Sequence, residues 1–472
     1  MGAAITVPTP LPARTLRISQ KNTRTRLAPT LRLSFAQQLA FGCRRVPARG
    51  SELTMNVLRF FGGALFLGLA ALTAFPASHQ ILWKASVAAT EWGYWLAIAA
   101  VLPMIPTGGQ SKIGKMGAVL SMGAIGLFIM PVVRASELSG TLPGAFNERF
   151  GSGRRVRAHM SEGPRPEPLV LPELLRPVQL PAIRFEERVF NTFENEKLTL
   201  DIYRPAYEHK LLPGVIVVHG GTWQSGSNNE FVALNAYLAG RDYVVAAINY
   251  RLAPRWPFPA ARDDVLSAIA YLKVYGPQFG FDPDRIALLG RSAGGQLALL
   301  AAYTAQEPSI RGVISMYAPT DLQFGYENPA PAGLYDTRGA LEAYLGGPPA
   351  KKSDEYYAAS PINFVTSTSP PTLLIHGLMD GVVKPHESER LESKLKEAGV
   401  KHLFVRMPWA THGCDKSFGG PCGQVATYAV ERFLDGVMAG SDPKPAPESK
   451  KPVRVAQQRG ASAPRQPSKT RG

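Results

Sequence analysis

The sequence predicts an α/β domain, a mostly parallel sheet flanked by helices, preceded by about three membrane helices. Three observations carry this. From about residue 184 to 440, apolar runs of strand length alternate with amphipathic stretches at helical spacing. Ahead of them, three stretches of near-spanning length carry no charge: Phe60 to Trp83, Trp92 to Ser111 and Met116 to Val133. Finally, the formal net charge of +16 collects at the two ends. Residues 1–54 hold nine Lys or Arg against the single acid Glu52, and residues 441–472 hold eight against two, leaving +2 for everything between. A nucleic-acid-binding domain would concentrate that charge on a folded face, so no nucleic-acid partner is expected.

In chain order, residues 1–54 are rich in Arg, Ser and Thr, the composition of an organelle transit peptide. The stretch "MNVLRFFGGALFLG" also begins at Met55 like a natural start, so residues 1–54 equally suit an over-extended start. Residues 55–133 form the membrane region, whose helices would meet membrane lipid. Its second run is interrupted by Pro103 and Pro106, which membrane helices tolerate. Residues 134–183, a mixture of Pro, Arg and Glu without period, are expected to be a linker.

The domain of residues 184–440 opens with "RFEERVF" and "LTLDIYRP", which alternate as half-exposed strands do. "GVIVVHG", "YVVAAINY", "RIALLG", "GVISMYAP" and "TLLIHG" are continuous apolar runs typical of strands buried on both faces. Between them, "PAARDDVLSAIAYLKVYG", "SAGGQLALLAAYTA", "HESERLESKLKEAG" and "QVATYAVERFLDGV" show helical spacing. The Pro-, Ser- and Lys-rich stretch 441–472 has almost nothing to bury and is expected to be a disordered tail. Three cysteines, Cys43, Cys414 and Cys422, make neither a disulfide framework nor a zinc site, and neither metal nor cofactor is expected.

In such sheets ligands bind beyond the carboxyl ends of the strands, and the chemistry-bearing residues fall there. "GRSAG" sits between the strand "RIALLG" and a helix, where a sharp turn lifts the Ser292 hydroxyl above the sheet. An attacking serine leaves a negative oxygen that needs donors fixed in advance. One is the backbone N–H of Ala293, and the loop "HGGTW" adds Gly220 and Gly221. The serine also needs a histidine to take its proton and an acid to orient that histidine, in the chain order Ser, acid, His. Asp380 follows the strand "TLLIHG" and His412 follows "KHLFVRM". Among their rivals, His219 suits a loop brace, His376 braces the Asp380 loop and His386 opens a helix. Asp321 is the rival acid, and Asp263 and Asp264 suit arginine partners or a helix start.

Through "HGGTW", "INYRLAPRWPFPAARDD", "DPDRIALLGRSAGG", "HGLMDGVV" and "WATHGCD", residues 184 to 440 resemble the α/β-hydrolase fold. Within it they resemble the hormone-sensitive-lipase-like and acetyl-esterase-like carboxylesterases. The resemblance implies a serine hydrolase that cleaves small or lipid-like carboxylic esters through an acyl-enzyme, with no cofactor. Thr222 stands where many relatives have a further Gly, and Arg255 and Trp256 replace a more usual Glu and His at the expected pocket rim. The segment 333–363 is the expected cap over the acyl pocket. An amidase or aryl-formamidase of the same fold and a catalytically inactive binding domain are the alternative functions.

Three spans with the amino end inside would put the domain outside the cytoplasm, and flanking Lys and Arg favour this by six to three. Counted from Met55, the tally is three to three. On an oxidising side, Cys414 and Cys422 would form a disulfide beside His412 worth about 2.5 kcal/mol by loop closure.

Overall fold

The computed structural model describes residues 49–106, 111–151, 165–206 and 211–438. The segment before Arg49, residues 152–164 of the expected linker and the tail after Met438 lie outside the described residues.

Three helices come first: α1 (Arg49–Ala71), α2 (Gln80–Ala99) and α3 (Lys112–Phe150). Each is long and apolar enough to cross a membrane, α2 together with the turn that follows it. Asn56, Gly63, Leu67 and Thr73 of the first helix and the residues after it meet Gly114, Gly117, Gly123 and Leu127 in that order, so α1 and α3 run parallel. Backbones touch where Gly63 faces Gly117, because any Cβ there would overlap the opposite chain.

Two expectations for this region are corrected. The uncharged run begins at Trp92, but α2 begins twelve residues earlier, at Gln80. The Glu91 that interrupts the run is buried, its carboxylate accepting the Cys422 N–H at 3.0 Å. Nor does a linker begin at residue 134, because α3 continues to Phe150. Ala135, Leu142 and Phe146 are buried at helical spacing, and the Phe146 and Phe150 rings pack on Tyr428 and Phe433. That packing outweighs the polar residues between them.

The sheet has eight strands: β1 (Ile183–Phe193), β2 (Glu196–Pro205), β3 (Leu212–Val218), β4 (Val244–Ile248), β5 (Phe281–Arg291), β6 (Ile310–Met316), β7 (Thr372–Gly377) and β8 (His402–Met407). Their order is β1-β2-β4-β3-β5-β6-β7-β8, antiparallel through β1, β2 and β4 and parallel from β4 to β8. The remaining helices are α4 (Leu171–Leu174), α5 (Val232–Ala239), α6 (Ala260–Tyr275), α7 (Ala293–Thr304), α8 (Leu322–Glu327), α9 (Thr337–Leu345), α10 (Pro349–Ala359), α11 (His386–Glu397) and α12 (Pro421–Met438). This is the α/β-hydrolase fold, with three apolar helices ahead of it.

Strand β3 shows why the central runs are apolar throughout. Ile216 and Val218 enter the core layer shared with α6 and α7, while Val215 and Val217 enter the opposite layer, shared with α5, α12 and the second half of α3. Successive side chains point to opposite faces, so a strand covered on both sides has no place for a polar residue.

Candidate active site

Ser292 occupies the turn between β5 and α7 with φ 52° and ψ −124°, a strained conformation that lifts it off the sheet. The glycines of "GRSAGG" permit the turn. A Cβ on Gly290 would overlap the Gly294 carbonyl, and one on Gly294 would overlap the carbonyls of Val218 and His219 at the end of β3. The two motifs are therefore in backbone contact, and a Cβ built on Gly220 would stand 3.4 Å from that of Ser292. Gly221 has φ +108°, open only to glycine. Thr222 holds φ 53°, where its hydroxyl donates to the Gly221 carbonyl at 2.7 Å. Ala293 opens α7, so its N–H has no acceptor within the helix and is free to face a ligand at Ser292.

The Ser292 Oγ lies 3.1 Å from His412 Nε2, and His412 Nδ1 lies 2.7 Å from Asp380 Oδ2. The other Asp380 oxygen accepts the N–H groups of Val382 and Val383 at 2.8 and 2.9 Å. Burial by itself would raise the Asp380 carboxyl. The charges of His412 and His376 and the hydrogen bonds from both outweigh it and hold the group below the ordinary carboxylate range. An ionised Asp380 fixes the proton on His412 Nδ1, leaving Nε2 to accept from the serine.

The rival residues go elsewhere. His376 is fully buried and contacts Asp380 at 3.3 Å and the Val383 carbonyl at 3.1 Å through Nε2, with Nδ1 on Ser388. His219 stacks on Tyr250, its Nδ1 donates to the Gly220 carbonyl, and burial lowers its pKa to about 4, so it stays neutral. His386 is the first residue of α11. Asp321 caps α8 and pairs with Arg390 at 2.6 Å. Asp264 binds Arg251 and Asp263 binds Arg262. Arg255 and Trp256 are corrected from their expected place at the pocket rim. They pack on the β1–β2 turn through Glu194, Glu196 and Phe193, because those acids and that ring supply the partners.

A small cavity of about 50 Å³ opens at Ser292, walled by Trp223, by Phe324 and Gly325 of α8, by Leu341 of α9, and by Val382 and Glu387. The expected cap thus reaches it through α9. Trp223 stacks on Tyr344 of α9 at 4.4 Å and donates to Gln296 of α7, which donates in turn to the Ala359 carbonyl. Glu387 accepts the N–H groups of Thr320 and Asp321, and burial pushes its carboxyl up to about 8.

Of what holds His412, sequence reasoning expected the disulfide and missed the rest. Cys414 and Cys422 are joined by a disulfide. Asp415, three residues after His412, binds Arg291 Nε and the Tyr317 hydroxyl, each at 2.5 Å and all three buried. From α2, the Trp83 indole N–H donates to the His412 carbonyl at 3.0 Å. Arg291, inside "GRSAG", was the only available hint, since an arginine beside Ser292 requires an acid when buried.

Residues 200–395 match the BD-FAE family. The chain is similar to esterase LipC of Mycobacterium tuberculosis, 32% identical over 254 residues, covering 50% of this chain and 62% of that protein. It is also similar to esterase LipQ of the same organism, 32% identical over 265 residues, covering 51% and 59%. A solved esterase from the archaeon Pyrobaculum calidifontis aligns at 27% identity and TM-score 0.47 over 54% of this chain and 84% of that one. The chain spans 57% to 62% of the length of three curated mycobacterial relatives. Residues 200–395 thus match the BD-FAE family within an α/β-hydrolase fold, and the chain is similar to mycobacterial esterases.

Proposed function

We propose that this chain is a membrane-anchored serine hydrolase that cleaves carboxylic esters through an acyl-enzyme. The observation that carries this reading is the hydrogen-bonded series Ser292, His412, Asp380, with the serine on a strained turn against the "HGG" loop. His412 Nε2 takes the Ser292 proton as Oγ bonds to the ester carbonyl carbon, and the carbonyl oxygen becomes an oxyanion held by the N–H groups of Ala293, Gly220 and Gly221. Collapse breaks the bond to the alkoxy oxygen, to which His412 returns the proton, releasing the alcohol. Water then gives a proton to His412 and its oxygen to the acyl carbon, and the acid leaves as Ser292 regains its hydrogen.

The cavity at Ser292 is small, about 50 Å³. It therefore suits a short acyl group. The disulfide beside His412 and the flanking charges support a domain on the non-cytoplasmic side.

The test is a chain-length series of nitrophenyl esters, with matched anilides, on the full chain and on Ser292→Ala, His412→Ala and the double variant. Each single change should lower kcat by about 10³-fold or more, and the double change should cost little beyond either. Additive losses, or single variants keeping more than about a tenth of the activity, would contradict the assignment. Turnover of the anilides in preference to the esters would make it an amidase.

A further inference from the structure

The uncharged stretch of α3, Met116 to Val133, is bounded by Lys115 and Arg134 and is about 27 Å long, close to the ~30 Å of a bilayer core. At its domain end the Arg134 guanidinium donates to the Pro408 carbonyl at 3.4 Å, four residues before His412. At the same end, the loop from α1 to α2 reaches the catalytic rim. Gln80 N–H donates to the Gly333 carbonyl at 3.0 Å, the Ala77 carbonyl lies against Gly381, and Trp83 holds His412. A loop joining two membrane helices lies at the lipid headgroups, so the site entrance lies there too.

The surface around this junction is apolar where a water-exposed domain would be polar. Phe75 and Ile81, on the loop and the start of α2, are 68% and 81% exposed. Further along α2, the half-exposed Trp92 and Trp95 line one open groove with Leu175, Val178 and the cations Arg176 and Lys416. Patches of this kind on a soluble face mark an interaction surface, and here it is continuous with three candidate spans.

We propose that this apolar junction sits in the surface of a phospholipid bilayer and that the site takes its ester from the membrane, with the α1–α2 loop as one wall of the entrance. The proposal rests on the ester-hydrolase reading above and names its substrate class. The small cavity at Ser292 holds only a short acyl group, so the long apolar part belongs to the alcohol, lying along Phe75, Ile81 and Leu82 toward the lipid. The substrate is a short-chain acyl ester of a long-chain or lipid alcohol.

The full chain in phosphatidylcholine vesicles is assayed on hexadecyl acetate in the bilayer and on 4-nitrophenyl acetate in solution. The hexadecyl acetate rate should follow its mole fraction in the membrane and stay constant when vesicles of fixed composition are diluted. The double variant Ile81→Asn with Phe75→Asn should lower that rate about tenfold while leaving the soluble ester within about twofold. Brominated phosphatidylcholine should quench tryptophan emission, and Trp92→Phe with Trp95→Phe should remove much of that quenching. Dependence on bulk concentration, equal losses on both esters, or no quenching overturns membrane supply. Hydrolysis of the soluble ester alone does the same, whereas hydrolysis of neither overturns the ester-hydrolase reading and the proposal with it.

Discussion

The turn that carries Ser292 and the loop that carries His412 come within 3.1 Å of each other, yet different forces hold them. The serine turn is made by its own sequence, with Gly290 and Gly294 letting strand and helix backbones meet. The histidine loop has no such local plan. A disulfide closes it, Asp415 ties it to Arg291 across 124 residues, and Trp83 ties it to α2 across 329. Local encoding gives Ser292 a rigid seat, whereas His412 is positioned by whatever the rest of the chain brings to it.

The largest effect should come from the rigid side. In Gly294→Ala the new methyl meets the carbonyls of Val218 and His219, which cannot yield without moving β3. Stability should fall by about 3 kcal/mol and ester hydrolysis by about 100-fold, measured by denaturant unfolding and steady-state rates. A variant that is stable and active would mean the turn has slack and would erase the contrast.

A smaller effect should come from the histidine side. Trp83→Phe keeps an aromatic ring while removing the N–H on the His412 carbonyl, together with the five-membered ring that carries it. The kcat for a soluble ester should drop about fivefold, as for one lost hydrogen bond, with KM and melting temperature unchanged. An unchanged kcat, or a loss that only follows the melting temperature, would show that α2 does not position His412.

The smallest effect concerns Glu387, which binds the backbone after β6 and borders the cavity at Ser292. Its carboxyl titrates near 8 when folded and near the ordinary 4.5 when unfolded. Between those values the unfolded chain has released the proton that the folded one keeps, so stability is complete below about pH 4.5 and declines toward pH 8. Glu387→Gln should flatten that decline in melting temperature, and an identical slope in both proteins would show that Glu387 is not the group responsible.

The same contrast governs how much was legible in the sequence. Strands buried on both faces declare themselves as unbroken apolar runs, and the Ser292 turn announces itself through its glycines. The positions of Asp380 and His412 followed from strand ends and chain order, and they meet Ser292 in space. Trp83 was counted only as the end of an apolar run, because nothing within helical reach of it hints at a partner 329 residues away. The second half of α3 went unseen because Arg134, Glu137 and Gly140 dilute its apolar positions and Pro143 suggests a break. Its helicity depends on α12, which no local window contains.

That continuity of α3 has a mechanical consequence. A flexible tether tolerates insertions, since extra residues only lengthen its swing. A helix running unbroken from the charge-free stretch into the domain core keeps a phase as well as a length. Each residue added between Phe128 and Ala135 would turn the charge-free end about 100° around the axis and shift it about 1.5 Å. The face of α3 that meets Gly63 and Leu67 of α1 and the face that meets Phe433 are thus set by the same residue count, and length changes are tolerated in the loops between the helices rather than within α3.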